Sequence, residues 1–225
     1  MTTSGTTAFV PDVAEIIEEA FERVRPSGSS TGYDVRTARR SINLLMLEWA
    51  NRGVNLWTID SGTVALVSGT STYSLPADTI DLLDVVIRTT AAGVQNDMVV
   101  GRISLNEYTS IPSKTATGRP VQFMVNRLSA APTITLWPTP DSATTYSLVY
   151  WRMRRIQDTG GDGGLTMDVP ARLIPALISG LAYYLGMKYA PGSLQVLKAM
   201  YDEQFQMAVE EDRDRASFRL VPRPL

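Results

Sequence analysis

The 225-residue chain has no cysteine and no histidine, and each absence removes a class of chemistry. Without cysteine there is no disulfide scaffold, thiolate nucleophile, iron–sulfur cluster or zinc finger. Without histidine there is no Ser-His-Asp triad, no His-ligated metal and no switch titrating near neutrality. An enzyme built from this chain would work with carboxylates, lysine, tyrosine, serine or threonine alone. An excess of one charge is also lacking. Lys and Arg number 21 against 23 Asp and Glu, a net charge of −2, so the overall balance offers no cationic surface to displace counterions from DNA. No apolar stretch reaches the ~20 residues of a membrane span: Leu173 to Tyr189 is broken by Pro175, Ser179, Gly180 and Lys188. The Thr/Ser-rich start, Met1 to Phe9, resembles neither a signal peptide nor a basic transit peptide. These features lead to the expectation of a soluble, mildly acidic protein with no membrane partner.

Helical periodicity occupies both ends of the chain. Pro11 is expected to open a first helix carrying Val13, Ile16, Ile17, Ala20 and Val24, with Glu15, Glu18, Glu19 and Glu22 opposite, and Pro26 to end it. After the connector from Ser27 to Gly32, a second helix carries Val35, Ala38, Ile42, Leu45 and Trp49. Leu44, Met46 and Leu47 broaden that stripe and imply burial on more than one side, while Arg36, Arg39, Arg40 and Asn43 form the polar face. From Leu56 the pattern is β: residues 63–67, 82–88, 121–125, 133–137 and 146–153 alternate or are β-branched, punctuated by Pro and Gly. Within this region Ser104 and Glu107 have capping-box spacing ahead of a short helix stopped by Pro112. Helix returns with Asp168 as N-cap, then Leu177, Leu181, Tyr184, Leu185 and Met187. Ala190-Pro191-Gly192 separates it from a last helix bearing Leu194, Leu197, Tyr201, Phe205 and Ala208.

Each terminal helix pair has an apolar face too large to leave in water, and packing the pairs together predicts a four-helix bundle. The expected fold is therefore α+β, with an antiparallel β domain inserted in that bundle. Residues 1–54 and 165–216 supply the helix pairs, 55–164 the β-rich insertion, and 217–225 an extended C-terminal arm.

The motifs with possible chemistry have blander explanations. The Gly160 to Gly164 run lacks the Lys-Ser/Thr ending of a phosphate loop, and Asp162 and Asp168 lack EF-hand spacing, so the segment reads as a connection. Glu107 would need a second acid for glycoside hydrolysis, and capping already accounts for it. No catalytic residue, cofactor or metal ligand is assigned. Arg36, Arg39 and Arg40 form one basic stripe and Arg152, Arg154 and Arg155 another; a solvated face or an interface with an acidic helix surface accounts for them better than nucleic acid. The acidic first helix offers that partner, which makes Glu15, Glu18, Glu22, Arg36, Arg39 and Arg40 candidate inter-subunit charge contacts. Trp137, Tyr150 and Trp151 fall on β segments, where aromatics usually pack. The C-terminal segment Phe218, Arg219, Leu220, Val221, Pro222, Arg223, Pro224 and Leu225 alternates apolar anchors with arginine, a pattern suited to docking on a neighbour.

Three stretches together resemble one family. Residues Ile42 to Trp57 (INLLMLEWANRGVNLW) look like the second helix and exit turn of bacteriophage head-to-tail adaptor proteins. So does the middle order of Glu107-Tyr108, Ile111-Pro112-Ser113-Lys114, Gly118-Arg119-Pro120 and Leu136 to Asp141. Val169-Pro170 opening a helix pair that ends in an Arg/Pro tail completes the likeness, which runs from about Val13 to Leu225. The resemblance implies a structural virion protein, not an enzyme: a homo-oligomeric ring, commonly a dodecamer, beneath the portal of a tailed phage. It would be assembled in the host cytoplasm, complete the head, retain packaged DNA and form part of the ejection conduit. Mapped onto this chain, Phe218 to Leu225 would be the arm that docks on the portal protein, and the β lobe would face the tail or nozzle protein. Double-stranded DNA would pass through the lumen without specific binding. Another tail-completion or baseplate ring protein, or a carboxylate-based cell-wall hydrolase, is the alternative.

Overall fold

Burying the 3.6-residue stripes gives the first helices their boundaries. In the computed structural model, which describes residues 3–7, 9–25, 31–54, 56–91, 93–128, 130–161 and 163–211, helix α1 spans Val13–Val24 and buries Val13, Ile16, Ile17, Ala20, Phe21 and Val24. Pro11 precedes the helix rather than opening it. Asp12 is the N-cap, and its carboxylate accepts the Glu15 N–H at 2.8 Å while Glu15 accepts the Asp12 N–H at 3.0 Å, satisfying two donors that a helix start leaves orphaned. The next helix, α2 (Gly32–Asn51), starts with the same reciprocal device between Thr31 and Asp34. Its buried stripe is Ala38, Ile42, Leu45, Met46 and Trp49. Leu44 and Leu47 are 49% and 57% exposed, contrary to the expected burial on more than one side, because the elements packed on α2 cover only the other stripe.

Helices α4 (Ile174–Tyr189) and α5 (Leu194–Glu211) form a hairpin through the single helical turn Pro191–Ser193. Helix α4 packs against α1, α2 and α5, and all four helices share one hydrophobic cluster that includes Ile16, Leu45, Trp49, Leu181, Leu185 and Tyr201. Gly180 and Gly186 of α4 make this closeness possible, since a Cβ at Gly180 would stand 2.7 Å from Leu45 Cδ2 and 2.9 Å from Tyr201 Cε2. Asp168 does not cap this hairpin. A helical turn at Ala171–Leu173 intervenes, neither helical start has a side-chain cap, and the Asp168 carboxylate accepts the Gln157 N–H instead. Pro175 lies in the first turn of α4, where its missing N–H costs no hydrogen bond. Met187, expected on the apolar face, is exposed.

Between the helices the described residues form eight strands: β1 (Ile59–Ala65), β2 (Thr72–Ser74), β3 (Thr79–Ala91), β4 (Val94–Val99), β5 (Gly101–Arg102), β6 (Gln122–Asn126), β7 (Thr133–Trp137) and β8 (Tyr146–Arg154). One four-stranded sheet has the order β1-β8-β3-β4 and is antiparallel throughout; the other has the order β2-β7-β6-β5. The second sheet corrects the expectation of a purely antiparallel domain, because β5 and β6 pair parallel. Short helix α3 (Leu105–Ser110) lies in the long crossover between them, as a parallel pair requires. Leu82, Val85, Ile87, Phe123, Ile134, Leu136, Leu148 and Tyr150 belong to a second core. The ring of Tyr150 lies over its cross-strand partner Gly62, which has no side chain to obstruct it. The architecture is thus α+β, and the chain groups into two compact units: 1–57 with 156–225, and 58–155.

Candidate functional site

The helical unit presents two charged surfaces, and their scaffolding begins at the Gly-rich segment. Gly163 and Leu165 carbonyls accept the Ala14 and Val13 N–H groups at 3.1 and 3.0 Å, so the segment read as a simple connection also satisfies the first turn of α1. Arg39 donates to the Gly161 carbonyl at 2.5 Å and Asn43 accepts the Thr159 N–H at 3.1 Å, which fixes the same segment to α2. Asp162 lies outside the described residues.

Of the six candidate charge contacts, Glu15 is engaged in the α1 cap and Arg39 in the Gly161 contact. Glu18, Glu22, Arg36 and Arg40 are exposed. The structure forms no ion pair between the three glutamates and the three arginines. Beside α1 lies a groove of about 440 Å³, with Phe9, Pro11 and Ile178 as its apolar lining and Glu15, Glu18, Glu19 and Glu22 as its acidic one. The arm Phe218, Arg219, Leu220, Val221, Pro222, Arg223, Pro224 and Leu225 lies outside the described residues.

The titratable groups inside the helical unit hold helices together. Asp34 accepts from the Thr31 N–H at 3.0 Å, from Arg25 at 2.9 Å and from the Tyr189 hydroxyl at 2.9 Å. These bonds, the Thr31 backbone first, hold its carboxyl well below the usual carboxylate range. The Arg25 guanidinium also stacks 4.7 and 4.8 Å from the ring centres of Phe21 and Tyr189. A second network joins Glu48 to the Tyr184 hydroxyl at 2.7 Å, and Trp49 Nε1 donates to the Tyr201 hydroxyl at 3.0 Å. Burial pushes the Tyr201 hydroxyl up to about 12 and raises that of Tyr184 as well, so both remain neutral donors. Neither network was legible in the sequence, because their members come from helices distant along the chain.

One pair has the composition of a nucleophile and its base: Lys188 Nζ donates to Ser41 Oγ at 2.7 Å, and burial and Arg40 lower the Lys188 pKa. Ser41, however, is fully buried and donates its own proton to the Thr37 carbonyl at 3.1 Å, an arrangement that braces α2 against α4 and leaves no room for a substrate. Glu107 is held in its cap, accepting the Ser104 N–H at 2.6 Å, which lowers its pKa. A general acid would need the opposite shift. Among the described residues no group of three or more acidic, His or Cys side chains stands together as a metal cage, and no helix is long and apolar enough to cross a membrane.

In the β unit the basic stripe divides. Arg152 is buried and donates to Asp78 at 2.5 Å, to Thr79 at 2.9 Å and to Asp60 at 3.2 Å. It serves the fold, not an interface. Tyr150 packs in the core as expected, and Trp137 donates to the Ser113 carbonyl at 2.9 Å. Trp151 is exposed on the outer sheet face beside Asp84, Val86 and Val99.

No described arrangement of these groups identifies a chemistry, and the family of the chain is decided by comparison with known families. The family model of the SU10 adaptor protein matches residues 11–223. The chain belongs to the SU10 adaptor family. Both helix pairs and the whole β unit of this adaptor fall within the matched span. Among solved structures, a chain from the neck of an empty GTA particle, reconstructed with C6 symmetry, is 16% identical over 82% of this chain and 83% of its own. Its TM-score of 0.27 lies below the range of a shared fold. No curated protein matches the adaptor.

Proposed function

We propose that this SU10 adaptor is a structural virion protein that forms a ring between the portal and the tail of a phage-like particle. Family membership across nearly the whole chain carries the reading. On this reading the four long helices form a bundle, and residues 217–225 are an arm whose Phe218 to Leu225 docks on the portal protein. The β unit faces the tail or nozzle protein. The chemistry of the surface favours such a role. A ring closes by repeated heterologous contacts between identical subunits, and the exposed acids Glu18 and Glu22 and bases Arg36 and Arg40 supply complementary charge for them. A dodecamer is the proposed stoichiometry. The near-neutral balance suits a lumen that retains packaged DNA and passes it during ejection without gripping the phosphates. No covalent step is assigned to the protein.

Deleting residues 217–225 and measuring co-assembly with the portal protein tests the assignment. The truncated adaptor is expected to keep its far-UV circular dichroism and thermal midpoint while losing portal attachment. Attachment that survives the deletion would remove the arm from the interface.

A further inference from the structure

The groove on α1 is suited to an occupant that the described residues around it do not provide. Phe9 is 80% exposed above Pro11 and Ile178, an apolar surface left open to water. Two of the four glutamates are already engaged, Glu15 in the cap with Asp12 and Glu19 with Arg23 at 2.8 Å. Glu18 and Glu22 form no ion pair with any described residue. A complementary ligand would be an extended segment with apolar residues on one side and arginines on the other.

This chain carries such a segment. From Arg215 to Leu225 there are three arginines and no acid, with Phe218, Leu220 and Val221 between them. In extended backbone Phe218 and Leu220 share one side and Arg219 and Arg223 the other. Its point of departure is also suitable. Helix α5 runs antiparallel to α4, with Ser179 donating to Gln204, and α5 packs on the Ala171–Leu173 turn. Glu211 therefore sits at the end of the helical unit where α4 begins, and Ile178 is in the first turns of α4. From Gln204 to Glu211 the helix advances only about 10 Å. The 14 residues that follow can span up to about 50 Å when extended, more than enough to return to the groove.

We propose that in the unassembled adaptor the C-terminal segment 215–225 folds back onto its own helical unit. Its apolar side chains rest on Phe9, Pro11 and Ile178, and its arginines face Glu18 and Glu22. The contact masks both the arm and an acidic surface until an assembly partner displaces it. Exposed ion pairs over a small apolar floor hold weakly enough to be exchanged. The inference concerns the free protein and stands apart from the portal assignment.

The absence of native cysteine makes the test direct. Ala216→Cys in the full chain takes a single nitroxide spin label, and amide relaxation reports which residues the segment approaches. Enhanced broadening is expected across Phe9–Glu22 and around Ile178, weakening as salt is raised. The double variant E18K/E22K, with folding checked by circular dichroism, is expected to reduce the bound population about fivefold or more. Broadening no greater than that from free label in solution would overturn the proposal. So would broadening centred on another face, or broadening seen only between labelled and isotopically distinct copies, which would place the segment on a second copy. A flat profile combined with lost portal attachment on arm deletion ends this inference and leaves the proposed function intact. Clear broadening with unaffected portal attachment does the reverse.

Discussion

Gly180→Ala tests whether the close approach of α4 to α2 and α5 holds the helical unit together. The new methyl would stand 2.7 and 3.1 Å from the two δ-carbons of Leu45 and 2.9 Å from Tyr201 Cε2, all inside ordinary contact distance. Neither neighbour has room to yield. Leu45 is fully buried, and Tyr201 is 2% exposed, accepts a hydrogen bond from Trp49 and stacks on Tyr183 with ring centres 6.1 Å apart. Replacing glycine by alanine inside a helix gains up to about 1 kcal/mol of backbone entropy. Overpacking costs about 1–3 kcal/mol, and two fixed neighbours place this site in the upper half of that range. The expected net loss is about 1–2 kcal/mol, or about 2–8 °C in Tm for a chain of this size. Gly192→Ala is the control: it has no neighbour within 4 Å and no left-handed φ, so reduced freedom of the unfolded chain stabilises it by about 0.4–1 kcal/mol. Urea denaturation followed at the helical circular dichroism signal measures both. A Gly180→Ala protein as stable as the parent, with an unchanged denaturant slope, would refute the packing argument.

Three further outcomes follow from the two cores. The variant D60N/D78N leaves the buried Arg152 guanidinium with neutral acceptors alone, the two amide oxygens and Thr79, and no compensating charge, at a cost of about 2 kcal/mol after allowing for the half-exposed carboxylates. R152M removes the charge together with its need for a partner and is expected to be the more stable of the two in thermal unfolding. Asp34 titrates lower in the folded protein than unfolded, so its contribution is complete above its ordinary pKa of about 4. That contribution disappears as pH falls through and below that value, because the unfolded chain then binds more protons; D34N should flatten Tm against pH between about 5 and 2. Gly62→Ala sets a methyl against the Tyr150 ring and is expected to cost about 1–3 kcal/mol, whereas the same change at Gly101, with only the Val121 carbonyl at 3.7 Å, costs less.

The apolar stripes of the four long helices were readable because each repeats at helical spacing over several turns, and the Ser104–Glu107 cap because its residues stand at a fixed offset. The cap at Asp12 was obscured by Pro11, itself a favoured first helical residue. Asp168 had the local grammar of a cap before proline, but a distant donor, the Gln157 N–H, claimed its carboxylate. Strands β4 and β5 left no signal, since most of their residues are exposed and alternation requires one buried face. The acidic and basic stripes were visible as sequence. The groove was not, because Phe9 and Ile178 meet only through the packing of α1 on α4. Leu44 and Leu47 show the reverse error: an apolar side chain invites burial, but among the described residues no element covers them.

A reconstruction of the portal vertex of the particle that carries this adaptor tests the central claim most directly. The account predicts a closed ring of copies between portal and tail, with the segment after Glu211 reaching the portal. A vertex without the chain, or density for it at a baseplate or tail tip instead, would contradict the account.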